Sequence, residues 1–296
     1  MAETDPFGLL VVDKPPGPTS HDVVAQIRRA TGISKIGHTG TLDPAATGVL
    51  VLCLGKATRL SEYLTESDKT YLAEIQFGKT TTTYDGDGDT VEETGRAPNR
   101  QQISAALAEF EGEVAQRPPA FSAIKVDGVR AYRMARAGQS PDLPSRTVTF
   151  YELTIESYRA PTLELRVSCS AGTYIRSLAN DLGRRLGVGA FLSGLRRTRT
   201  GAFGIDRAIP LSSLMTAIAD RDWERFLVDP AAGLPTMPRV LVADACLSDI
   251  RNGVPIPADP AAKGMALGLD KRGRLIAVLE AEADGEHWHP NKVFLG

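Results

Sequence analysis

Cysteine is scarce in this chain, and no long apolar run occurs. The three cysteines, Cys53, Cys169 and Cys246, lie far apart and are odd in number. That excludes a disulfide framework and predicts free thiols in a reducing compartment, two of them buried inside strand-like runs. Nowhere do about 18 consecutive apolar residues appear, which excludes a membrane-spanning helix. The opening MAETDPFGLLVVDK has neither a basic lead nor an apolar stretch long enough for a secretory signal, so a cytoplasmic location is expected. An excess of positive charge is lacking too: 34 Lys and Arg against 36 Asp and Glu give a net charge of −2. This removes a global basic field but not nucleic-acid binding, for which a local basic patch is enough.

Several familiar chemistries are missing as well. Gly78-Lys79-Thr80 ends like a phosphate-binding P-loop, but Ala73 stands where that loop needs its first glycine. Ser168 to Gly172 is spaced like a nucleophile elbow with Ser168 in place of the first glycine. Asp85, Asp87 and Asp89 have the spacing of a calcium loop, yet Thr90 occupies the glycine position and Arg96 that of the bidentate glutamate. A solvated acidic loop is the expectation there. His287-Trp288-His289 has no supporting cysteine or carboxylate spacing and is expected to be a surface turn. No G-x-G-x-x-G follows a strand. No metal and no cofactor are expected.

What is present is an ordinary globular composition, 42% apolar and 24% charged, over 296 residues, enough for one large domain and one small. Gly8 to Lys14 reads as a strand running into the Pro15–Pro18 turn. A helix follows with Ser20 as N-cap, Asp22 in its first turn, Arg28 and Arg29 in its last, and Gly32 closing it. Val49 to Leu54 is strand-length, and Tyr71 to Gly78 alternates with period two. Gln101–Phe110 and Val129–Ala137 read as short helices, Thr147–Ile155 and Leu163–Cys169 as strands. Tyr174 to Leu186 carries Ile175, Leu178, Leu182 and Leu186 at helical spacing, closed by Gly187. From Leu234 the texture turns proline-rich and then β-like. A boundary near residue 237 divides the chain into 1–237 and a small β-rich domain, 238–296. Strands and helices without regular alternation predict α+β rather than a doubly wound sheet.

The most unusual stretch is GHTGTLDPAATGVL, Gly37 to Leu50. Its one carboxylate, Asp43, precedes Pro44, which biases Asp43 to an extended backbone. Gly37, Gly40 and Gly48 permit close approach of another chain. From spacing alone, Asp43 is either a catalyst or a turn-capping residue.

This stretch resembles the G-H-x-G-x-L-D-P-x-A-x-G hallmark of TruB-type pseudouridine synthases, and four further blocks resemble that family in the same order. They are VDKPPGPTSHDVV from Val11, the KTY of Lys69 to Tyr71, RPPAFSAIKVDGVRAYRMAR from Arg117, and CSAGTYIRSLANDLG from Cys169, with GLRRTRTGAF following; together they span residues 8 to 215. Phe121 stands where relatives often have tyrosine. The resemblance implies a pseudouridine synthase fold, a central mixed, mainly antiparallel sheet flanked by helices and loops, with residues 238–296 as a PUA-like RNA-binding domain. It implies isomerisation of the T-loop uridine of tRNA, position 55, by a monomer that needs no guide RNA. Asp43 is then the catalytic residue and Arg176 its partner. Tyr71 stacks on the flipped base, Tyr174 and Leu195 line the pocket, and His38 fills the space the base leaves. Asp43 could attack C1′, attack the uracil ring, or remove the 2′ proton. Lys14 is expected to pack beneath the loop rather than join the chemistry. Arg130, Arg133 and Arg136, with Arg184, Arg185, Arg196, Arg197 and Arg199, are expected to contact phosphates.

Overall fold

The computed structural model describes residues 6–122, 124–126, 128–139, 141–258 and 262–295, with Lys125 and Arg136 as backbone only. Eight strands form the spine of a ten-stranded sheet: β1 (Gly8–Lys14), β2 (Thr47–Leu54), β3 (Lys69–Phe77), β4 (Gly112–Gln116), β5 (Arg146–Arg159), β6 (Thr162–Cys169), β7 (Ala190–Thr200) and β8 (Ile209–Pro210). Their order is β8-β1-β2-β7-β3-β6-β5-β4, with Ile36–His38 added on β2 and Phe203–Gly204 on β7. Only β1/β8 and β2/β7 run parallel. The sheet is therefore mixed and mainly antiparallel, and the α+β expectation holds.

Burial explains which runs became central. β1 and β2 are apolar at nearly every position because both faces are covered. Leu10, Val12, Leu50 and Leu52 pack under the helices α1 (Ser20–Thr31) and α4 (Leu211–Ala219). Leu9, Val11, Val49 and Val51 form a second cluster with Leu267, Leu275, Val278 and Phe294 from the end of the chain. β3 alternates as its sequence predicts: Tyr71, Ala73, Ile75 and Phe77 are buried on one face. There they meet α3 (Ile175–Arg185) through Ile175, Leu178, Ala179 and Leu182, with α2 (Arg100–Leu107) alongside.

Two local expectations change. The N-cap of α1 is Thr19, whose hydroxyl accepts from the Asp22 N–H while Asp22 accepts from the Thr19 N–H. Ser20 is buried instead and used elsewhere. The segment from Val129 is helical only over Ala131–Arg136.

The chain from Arg239 builds its own five-stranded sheet, ordered Arg239–Leu241, Met265–Leu269, Leu275–Ala281, His287–Val293, Ile256–Pro257. His287-Trp288-His289 begins one of these strands, with Trp288 buried, rather than forming a turn. This sheet is fastened to the larger one. Lys56 Nζ donates to the carbonyls of Phe294 and Leu295, Arg59 to that of Val293, and Phe7 stacks on Phe294 at 4.9 Å. Among the described residues no helix is long and apolar enough to cross a membrane, and Cys53, Cys169 and Cys246 are free, the first two buried.

Candidate active site

Asp43 sits in the loop between Ile36–His38 and β2, and buried groups grip that loop residue by residue. Ser20 Oγ accepts the Leu42 N–H at 2.8 Å and donates to the Leu42 carbonyl at 3.1 Å. Lys14, fully buried, donates to the carbonyls of Pro15, Pro44 and Ala46 at 3.0, 3.1 and 2.7 Å. The Gly17 N–H reaches the Pro44 carbonyl at 2.9 Å. Burial pushes the Lys14 ammonium down to about 8, against the pull of Asp43. Lys14, at the end of β1, thus packs beneath the loop.

Above this base, Arg176 Nε lies 3.1 Å from Asp43 Oδ2. Arg176 is only 7% exposed, not a solvent-facing residue beside the apolar stripe. Both of its terminal nitrogens are engaged as well: Nη1 meets Asp85 Oδ2 at 3.3 Å and the Thr83 carbonyl at 3.3 Å, and Nη2 donates to the Phe121 carbonyl at 2.9 Å. The contact from the Arg117 block is therefore through backbone, so phenylalanine at 121 costs it nothing. Burial raises the Asp43 carboxyl above its ordinary range; Arg176 opposes this, while the nearby charges of Asp85 and Asp87 add to it.

Asp85 corrects the solvated-loop expectation. Its carboxylate is held by the Thr83 hydroxyl and the Asp87 N–H, and its carbonyl by Thr81 Oγ1. Asp87 and Asp89 do remain exposed. No periodicity marks Asp85; the one clue was three carboxylates spaced for a cation that the loop is not built to hold.

Tyr71 lies on β3 opposite Arg197 of β7 and Val167 of β6. A register shift between Leu192 and Gly194 moves the inward positions of β7 from even to odd numbers. Leu195 and Arg197 therefore oppose the buried Ala73 and Tyr71. Arg197 is 1% exposed, which corrects its assignment to phosphate binding. Its Nε donates to the Val49 carbonyl at 2.7 Å, Nη2 to Gly40 at 3.0 Å and Nη1 to Thr41 at 3.4 Å. Burial raises the Tyr71 pKa, and the charge of the same guanidinium opposes this. His38 is half-buried on the strand leading into the loop, where burial and Arg197 lower its pKa and keep it neutral. Tyr174 precedes α3, its backbone clasped at both ends by the Gln116 amide and its ring 4.6 Å from the Arg146 guanidinium. Among the described residues no hydrogen bond or ion pair joins Tyr174 to Asp43.

The other arginines divide. Arg133 and Arg184 are exposed, and so is Arg199, which donates to Gly201. Arg185 pairs with Glu109 at 2.5 Å and Arg196 with Asp13 at 2.8 Å. The side chain of Arg136 lies outside the described residues.

The fold matches solved structures over 98% of the chain. The matches are a Cbf5-Nop10-Gar1 complex (TM-score 0.76, 30% identity, 85% of that chain) and an H/ACA RNP bound to a substrate RNA containing 2′-deoxyuridine (0.76, 28%, 86%). The fold is that of the pseudouridine synthases. The chain belongs to the TruB family: residues 28–175 match the profile of the TruB family pseudouridylate synthase N-terminal domain, and 176–232 that of the tRNA pseudouridylate synthase B C-terminal domain. Tracing the same length are a tRNA pseudouridine synthase B of Dehalococcoides mccartyi strain CBDB1, 40% identical over 97% of this chain and 96% of its own, and one of Symbiobacterium thermophilum, 46% identical over 86% and 84%. The protein is an enzyme, an isomerase that makes pseudouridine.

Proposed function

We propose that this enzyme isomerises the T-loop uridine of tRNA, position 55, with Asp43 as its catalytic residue. The observation that carries the reading is the buried Arg176 held 3.1 Å from Asp43, in the loop that bears the family hallmark. The reaction breaks N1–C1′, turns the base and joins C5 to C1′, so it needs an ionised carboxylate held still beside the sugar. Arg176 supplies both charge and orientation by a charge-assisted bond. The uridine leaves its stack at a cost of a few kcal/mol. Tyr71 offsets part of that by stacking, Leu195 and Tyr174 line the pocket, and His38 takes the space vacated. The exposed Arg133, Arg184 and Arg199 contact phosphates, and residues 238–296 act as a PUA-like domain on the same RNA. The enzyme works as a cytoplasmic monomer.

The likeness to H/ACA particles favours a second reading, in which activity depends on a guide RNA. The purified protein with a bare T-arm transcript separates the two. Stoichiometric pseudouridine is expected, with affinity falling steeply as salt rises; binding without product would sink the unguided reading.

Asp85 gives a pH prediction. Its negative charge raises the Asp43 pKa, and it shares Arg176 with Asp43. In Asp85→Asn the like charge goes and Arg176 turns wholly to Asp43, and both changes favour ionisation. The acid limb of the kcat/KM profile should move to lower pH, while turnover falls because Arg176 has lost one of its anchors. A limb that stays in place or moves upward would count against this account of Asp43.

A further inference from the structure

A guanidinium with almost no solvent exposure is expensive to bury, and an apolar side chain of the same volume would fill the space at lower cost. Arg197 occupies such a position on β7. Its donors are not spent on a carboxylate. They go to three carbonyls, all in the Asp43 loop or at its root in β2. The carbonyls of Gly40 and Thr41 lead into Asp43 and that of Val49 roots the loop in β2, while Arg197 itself is registered directly opposite Tyr71 on β3. One residue therefore ties the loop carrying the carboxylate to the strand that carries Tyr71.

We propose that Arg197 is a positioning residue for the reaction: it sets the separation between the Asp43 loop and the Tyr71 ring without itself touching RNA. The proposal rests on the reading of Asp43 given above. Lys14 and Ser20 hold the same loop from below, but neither reaches Tyr71. Only the fork geometry can serve several acceptors at fixed angles; a lysine, with one nitrogen on a flexible stem, keeps the charge but not the span.

The test measures kcat and KM on the T-arm transcript for Arg197→Lys and Arg197→Gln, at a temperature where circular dichroism shows each folded. A misplacement of about 1 Å costs about 100-fold in rate, so kcat should drop by that order while KM and RNA affinity stay within about threefold. Because Arg197 acts by setting the Asp43 loop against the Tyr71 ring, Arg197→Lys and Tyr71→Ala should combine less than multiplicatively. A folded Arg197→Lys with wild-type kcat, or losses that multiply fully, would overturn the proposal. So would variants that fold at no temperature, which would leave a purely structural arginine. Asp43→Asn run in parallel separates the two levels. If it keeps turnover, the reading of the site fails; if it is inactive while Arg197→Lys is fully active, only the role of Arg197 fails.

Discussion

Asp43→Asn should lower pseudouridine formation by at least about 1,000-fold while tRNA affinity stays within about threefold of wild type. Asparagine keeps the shape of the side chain and can still meet Arg176, so the loop need not move. What it lacks is the negative charge, and no neighbour can supply it: Asp85 and Asp87 lie on another loop, and Asp85 is already committed to Arg176. Stability should respond in the opposite sense. The folded protein raises the Asp43 pKa, burial being the largest cause. A carboxyl whose folded pKa lies above its unfolded value contributes stability only where it is protonated, and that contribution is lost as pH rises through the folded value. At neutral pH the ionised Asp43 is therefore a cost, and Asp43→Asn should melt no lower than wild type. Below the ordinary carboxylate range, where Asp43 is protonated in both states, the advantage should disappear. Melting curves from pH 3 to 8, set beside single-turnover rates, measure both halves. A variant that loses activity and also melts well below wild type at pH 7 would make Asp43 a structural turn residue, which is the reading its loop chemistry alone left open.

The parts legible in the sequence were those where one residue type has one physical use. β1, β2 and β3 were readable because apolar runs and period-two alternation have few other causes. α3 was readable from its apolar stripe and from the glycine that follows it. β7 was not foreseen: two register shifts break its alternation, and five arginines and threonines in succession look like surface. Arg197 was misassigned for the same reason, since nothing in RRTR distinguishes the arginine that points inward. Asp85 and Ser20 failed differently. Each has a common local use, a solvated turn and a helix cap, and each instead serves a distant part of the chain, which only the fold reveals. Lys14 was placed beneath the loop through the family resemblance, and its bonds to the Pro44 and Ala46 carbonyls bear that out.

Gly48→Ala is expected to be the most destabilising single methyl in the catalytic half of the molecule. Gly48 has φ +102, a conformation that strains any L side chain. It also lies against Arg197, where β2 and β7 run parallel with Thr47 opposite Arg196 and Gly48 opposite Arg197. A Cβ there would stand 2.8 Å from the Arg197 backbone nitrogen and closer still to its carbonyl oxygen. Neither strand can yield easily. Arg197 is registered on Tyr71 from its other side, and its side chain is bonded to the Val49 carbonyl, one residue beyond Gly48. The loss should exceed about 4 kcal/mol, a large share of the 5–15 kcal/mol that holds an ordinary domain together. Gly40→Ala is the internal control. A methyl at Gly40 would meet Arg197 Nη1 at 3.5 Å, an ordinary contact, and should cost less than about 1 kcal/mol. Urea midpoints of the two variants should therefore lie far apart. If Gly48→Ala unfolds at the same urea concentration as Gly40→Ala, the junction of β2 and β7 can relax, and Arg197 does not stand on a rigid frame. The loop that presents Asp43 would then owe its order to its other contacts, those of Lys14, Ser20, the Gly17 N–H and Arg176.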